Sequence, residues 1–248
     1  MLRRAEFLKM TALGVGVGSV LPAWAAEPEP VKPDEAKTRL NAHFVNHGPG
    51  FNNRLALTFD DGPTPGVTEI VLKELARRSI PATFFMIGRN ADAYPSLAKE
   101  VAAAGHEIGN HSYTHPALSG LSEERVNYEL QKTQDVLEGI NGRPPAWFRP
   151  PYGAFRRDQG PIPRCKSLGV ALWSVDPRDW SRPGSSTIVQ RVVSAAAPGS
   201  IVLLHDLHSQ TAEACGAMLD QLMEKDFQFV RLSQLLGEPY GEFYTAQS

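Results

Sequence analysis

The sequence has only two cysteines, Cys165 and Cys215, among 248 residues, too few for a disulfide-built scaffold. It has no excess of either charge: 25 lysines and arginines face 27 aspartates and glutamates, a formal net charge of −2. Without a basic surplus there is no electrostatic footprint for nucleic acid or an anionic membrane. A long apolar run is also missing. The uncharged stretch from Met10 to Ala26 is glycine-rich, weakly apolar and marginally short for a span. There is no repeat of solenoid period and no linker splitting the chain beyond its amino-terminal stretch. What remains is globular: 42% apolar and 21% charged residues exclude disorder, collagen and coiled coil. With 21 glycines and 20 prolines the chain turns often, unlike a helical bundle.

The amino terminus has its own logic. Arg3, Arg4 and Lys9 make a basic start, the apolar stretch follows, and Ala23-Trp24-Ala25 supplies a small-x-small cleavage signal. Residues 1–25 are therefore expected to be a secretory signal peptide, with a membrane anchor as the competing reading. The expected product is exported, periplasmic or secreted, mildly acidic, and without a stable membrane span after cleavage. Arg3-Arg4 with Phe7-Leu8-Lys9 resembles a twin-arginine signal with one residue too many, which leaves the export route open. Residues 26–53, with Pro28, Pro30 and Pro33, read as a lead-in, and 237–248 as a tail. Export permits disulfides, but Cys165 and Cys215 fall beside different helical segments, so a bridge and two separate thiols both remain open.

From Arg54 onward short apolar runs alternate with stretches of helical period. Strands are expected at 54–59, 82–87, 107–110, 146–149, 170–175, 200–204 and 227–230. Leu55-Ala56-Leu57, Phe84-Phe85-Met86 and Ile201-Val202-Leu203-Leu204 are apolar on both faces, as parallel strands covered on both sides are. Helices are expected at 67–78, 95–104, 123–140, 186–196 and 211–225. The clearest carries Val126, Leu130, Leu137 and Ile140 on one stripe, behind a Ser122 cap and Glu123-Glu124 at the positive end of the dipole. The alternation predicts one α/β domain with parallel strands, closed or nearly closed as a barrel.

Polar, ionisable clusters follow the strands at one end only. In order they are Asp60-Asp61-Gly62-Pro63, His111-Ser112-Tyr113-Thr114-His115, Arg149-Pro150-Pro151-Tyr152-Gly153, Asp176-Pro177-Arg178-Asp179-Trp180 and His205-Asp206. Each has a bland reading alone: a turn, a solvated histidine pair, a rigid corner, a rim aromatic, a core histidine. Parallel strands would gather all of them on the carboxyl-end face, where such folds place active sites. Two imidazoles at i, i+4 suit one metal ion if a carboxylate is near.

These residues resemble the polysaccharide deacetylase family, the NodB-homology domain of family 4 of the carbohydrate esterases. The likeness runs from about Arg54 to Leu236 and rests on Thr-Phe-Asp-Asp-Gly-Pro, His-Ser-x-x-His, Arg-Pro-Pro-Tyr-Gly, Asp-x-x-Asp-Trp and Leu-Leu-His-Asp. It implies a distorted (β/α)7 barrel. By resemblance, Asp61, His111 and His115 are ligands of one divalent metal, with Zn2+ the default and Co2+, Ni2+ or Fe2+ possible. Asp60 is then the general base toward the attacking water, Arg149 holds Asp60, and the Tyr152 N–H helps to bind the oxyanion. His205 is the general acid, oriented by Asp179. Trp180, Leu203 and Pro151 are expected to wall the substrate pocket.

The implied activity is hydrolysis of N-acetyl groups on an amino-sugar polysaccharide such as peptidoglycan, a chitin-like glycan or poly-N-acetylglucosamine. The alternative is an O-acetyl esterase on xylan or another acetylated glycan, which depends less on His205. A silent glycan-binding module would lack a ligand, base or acid, and none is missing. A two-metal hydrolase would recruit Asp206 and His208, whose bland readings are a corner hydrogen bond and a solvated loop position. Residues 155–163 could shape a subsite or form a plain surface loop. The motifs do not specify the glycan or the oligomeric state.

Overall fold

A computed structural model describes residues 45–154 and 168–237. The expected signal peptide, most of the lead-in, the tail beyond Gly237, Cys165 and residues 155–163 lie outside the described residues.

Among the described residues seven strands appear: β1 (Arg54–Asp60), β2 (Thr83–Met86), β3 (Glu107–Asn110), β4 (Trp147–Phe148), β5 (Gly169–Val170), β6 (Ile201–His205) and β7 (Gln228–Phe229). All their pairings are parallel, in the order β5-β4-β3-β2-β1-β6, with β7 beside the start of β1. Among the described residues the helices are α1 (Thr68–Arg77), α2 (Gly88–Ala93), α3 (Pro95–Ala103), α4 (Glu123–Asn141), α5 (Ser185–Ala195), α6 (Ser209–Glu224) and α7 (Leu232–Leu236). After β5 the chain reaches β6 through a parallel bridge between Val175 and Val202, so the sheet curls round into a distorted (β/α)7 barrel.

The alternation of side chains along each strand organises the interior. On β1, Leu55, Leu57 and Phe59 point outward into the layer shared with the helices, where Met218, Leu219 and Leu222 of α6 are fully buried. Each such side chain contributes ~1.5–3 kcal/mol. Ala56 points the other way, joining Phe85, Trp147, Ala171 and Ile201 inside the barrel, which Leu232, Leu235 and Leu236 of α7 plug from below. Above that floor the inward positions turn polar: Thr58 and Asp60 are buried on β1, and Arg149 follows β4. The inside of the barrel is thus apolar at the amino end and ionisable at the carboxyl end.

Three expectations need correction. The fifth strand is shorter than 170–175, because the carbonyls of Ala171 and Leu172 are given to the Arg149 guanidinium rather than to a ladder. The end of the lead-in joins the barrel: Val45 bridges Ala171, and His47 bridges Ser200. The short helices α2 and α7 carry too few turns to show a period. As for the cysteines, Cys215 is free and fully buried on α6, where burial pushes its thiol up to about 12.

Candidate active site

Asp60 is the last residue of β1 and Asp61 the first beyond it, with a left-handed backbone (φ 77) that sends the two carboxylates apart. Asp60 meets Arg149 in a buried pair, Oδ1 to Nη1 at 2.8 Å, both side chains at most 3% exposed. The same Nη1 donates to Thr58 Oγ1 at 2.6 Å, Nε to the Ala171 carbonyl at 3.1 Å and Nη2 to the Leu172 carbonyl at 2.9 Å. The guanidinium also lies 4.2 Å from the Phe85 ring centroid. This pairing compensates the desolvation of both charges; removing one partner of such a pair costs about 3–5 kcal/mol.

His111 follows β3 and stands beside Arg149. Its Nδ1 is 2.7 Å from the Arg149 carbonyl, which can only accept, so Nδ1 carries the proton and Nε2 offers a lone pair. That Nε2 is 3.5 Å from Asp61 Oδ1, and His115 Nε2 is 3.2 Å from the same oxygen. Asp61 Oδ1 is buried without a hydrogen-bond partner. The three ligand atoms lie within 4.8 Å of one another, so acceptors face acceptors. Such a set fits a divalent cation and little else.

His205 closes β6 in register with Asp60. Its Nδ1 donates to Asp179 Oδ1 at 2.7 Å and its backbone N–H to Asp179 Oδ2 at 2.8 Å. The Trp180 N–H and the Thr211 hydroxyl also donate to the fully buried Asp179 carboxylate. Burial opposes the His205 charge, yet Asp179 raises its pKa to about 9. That shift favours the imidazolium over the neutral ring.

A cavity of about 470 Å³ opens onto Asp60, Asp61, His111, His115 and His205. Tyr152, Trp180 and Leu203 stand on its wall, whereas Arg149 and Asp179 lie behind it. Pro151 does not reach the wall. It is buried at the start of a 3-10 turn, and Pro150 faces the cavity instead, since consecutive side chains leave the chain in different directions. The edge of the Tyr152 ring packs on His115, with centroids 4.7 Å apart. Trp173 and Asp176 complete the wall; Trp173 belongs to none of the motifs, and Asp176 opens the fourth one without a role assigned from sequence.

Asp206 does a different job from His205. Its Oδ1 accepts the Gly62 N–H at 3.0 Å, its Oδ2 the Thr68 hydroxyl at 2.6 Å, and its own N–H reaches the Asp60 carbonyl at 3.2 Å. It fastens the turn carrying Asp60 and Asp61, and burial pushes its carboxyl up to about 7. His208 is partly exposed just ahead of α6, and no second metal-ligating cluster occurs among the described residues.

A parallel β/α barrel thus gathers two carboxylates, two imidazoles and an aspartate-paired histidine at the carboxyl ends of its strands. The polysaccharide deacetylase family model matches residues 48–172. The chain is 38% identical over 181 residues to peptidoglycan-N-acetylmuramic acid deacetylase PdaC of Bacillus subtilis, covering 73% of this chain but 38% of that relative. It is 37% identical over 199 residues to a chitooligosaccharide deacetylase of Rhizobium leguminosarum bv. trifolii, covering 74% and 92%. It also superposes on BA3943, a pseudoenzyme of carbohydrate esterase family 4 from Bacillus anthracis, with TM-score 0.71 at 33% identity, covering 78% and 68%. The chain belongs to the polysaccharide deacetylase family. Since the fold is shared with a pseudoenzyme, any activity has to be argued from the side chains.

Proposed function

We propose that the protein hydrolyses N-acetyl groups of an amino-sugar polysaccharide, releasing acetate and a free amine. Relatives named for peptidoglycan and for chitooligosaccharide support this substrate class. The observation that carries the reading is the pairing of Asp60 with His205 across β1 and β6, beside the Asp61, His111 and His115 cluster.

Asp61, His111 and His115 would hold one divalent ion, with Zn2+ the default for such a donor set. When bound, the ion supplies Lewis acidity toward a carbonyl oxygen and acidifies water. The protein's own groups do the rest. Asp60, held by Arg149, takes a proton from the attacking water as its oxygen adds to the acetyl carbon. The developing oxyanion meets the backbone N–H of Tyr152, whose left-handed conformation (φ 60) sits beside His115. His205 keeps Nδ1 on Asp179 and gives its Nε2 proton to the departing nitrogen as the C–N bond breaks. Trp180 and Leu203 shape the space for the acetyl group and the sugar. The amino-terminal signal reading adds that the protein is exported, in keeping with cell-wall substrates among the relatives.

The test is acetate release from peptidoglycan, chitin oligomers, poly-N-acetylglucosamine and acetylxylan, with Asp60→Asn alongside. N-acetylated glycans should yield acetate, and the variant should abolish turnover while keeping its metal. Release from acetylxylan alone would move the assignment to O-acetyl esters. Full activity of Asp60→Asn would remove the base.

A further inference from the structure

The geometry points to Glu129, on the outer helix α4, as the residue that positions the His111 and His115 pair for metal binding. This role rests on the ligand set proposed above. Glu129 is 0% exposed, although it lies on a helix facing solvent on its other side. Its Oε2 accepts the backbone N–H groups of Tyr113 at 2.9 Å and Thr114 at 2.7 Å. Its Oε1 accepts the Thr114 hydroxyl and Arg125 Nη2, both at 2.7 Å. The carboxylate therefore grips the main chain between the two histidines.

That grip has a physical purpose. Ser112 (φ 62) and His115 (φ 61) are both left-handed without being glycine. L side chains disfavour that conformation. A loop with two such residues needs fixed acceptors if it is to keep its shape before a cation arrives. Hydrogen bonds to an ionised acceptor are stronger than neutral ones and offset that cost. The other main-chain ties are neutral: Ser112 N–H to Asn110 Oδ1, His115 N–H to Ser112 Oγ, and the Gly88 and Arg89 N–H groups of α2 to the Ser112 and Tyr113 carbonyls. Asp92 of α2 meets only the exposed Tyr113 hydroxyl, at 3.1 Å, whereas Glu129 is the buried carboxylate that holds the loop's main chain. Ligand-supporting groups of this kind typically change metal affinity by ~10–100-fold when lost.

Glu107 makes a fitting control. It is a buried carboxylate at the amino end of β3, the strand that leads to His111, and it accepts from Thr83 Oγ1 and from the N–H and hydroxyl of Ser233. Calorimetric titration of metal-free protein with Zn2+ should show Glu129→Ala binding ~10–100-fold more weakly than wild type. Glu107→Gln should lose stability yet keep wild-type affinity. Equal affinity of folded Glu129→Ala and wild type overturns the assignment, as does an equal loss in Glu107→Gln. Should Glu129→Ala fail to fold, amide hydrogen exchange on metal-free wild type decides. The Tyr113 and Thr114 amides should be protected like those of β3, and exchange at open-loop rates overturns the role. Wild-type protein that takes up no ion removes the ligand set and this role together, whereas metal uptake without acetate release bears only on the activity.

Discussion

Replacing Asp179 with asparagine removes the charge that keeps His205 protonated and leaves the side chain nearly isosteric. The Asp179 carboxylate accepts two bonds on each oxygen, from His205 Nδ1 and the Trp180 N–H, and from the His205 N–H and the Thr211 hydroxyl. An asparagine NH2 must turn toward one of those donor pairs and cannot accept from either. The His205 pKa then falls from about 9 toward its ordinary 6.5. At pH 7.5 that shift alone lowers the protonated fraction about tenfold. Loss of the tautomer fixed at Nδ1 should push the fall in kcat/KM further, toward the ~10⁴-fold seen when a triad aspartate becomes asparagine. The assay is acetate release as a function of pH for both proteins. The alkaline limb should move down by up to about 2.5 pH units in the variant. Cation binding near His205 lowers both values alike, so the separation of the profiles is the readout. Stability should respond as well. The folded-state imidazole has the higher pKa, so its pairing stabilises fully below the unfolded value of 6.5 and is lost as pH rises through about 9. At ~1.4 kcal/mol per pH unit it is worth roughly 3 kcal/mol at pH 6. An unmoved alkaline limb in Asp179→Asn would refute the general-acid assignment.

His115→Ala should fail to bind Zn2+ in a calorimetric titration, since it removes one of the two imidazoles on Asp61 Oδ1; a variant that binds at wild-type affinity would break the ligand set. In Gly62→Ala the new Cβ would fall on the buried Asp206 carboxylate, and neither partner has room to move. Overpacking of that kind costs ~1–3 kcal/mol, read by denaturant unfolding, and wild-type stability would show that the Asp60-Asp61 turn is not seated on Asp206.

The sequence by itself determined a good deal here. Doubly apolar strands such as 201–204 can lie only between two covered layers, which made the parallel sheet legible. Clusters that follow strands at one end must converge if the strands are parallel, which made Asp60, Asp61, His111, His115 and His205 legible as neighbours. Tertiary structure alone decided the rest, because period says which face a side chain takes on a strand but nothing about direction in left-handed or 3-10 loops. Hence Pro150 rather than Pro151 on the cavity wall, and Trp173 beside it. Ring closure through Val45, Val175 and Val202 depends on contacts between distant segments that no local pattern encodes. Glu129 reads on paper as one more solvated helix charge. Only the packing of α4 against the His111–His115 loop buries it, and burial turns an ordinary glutamate into an anchor for four donors.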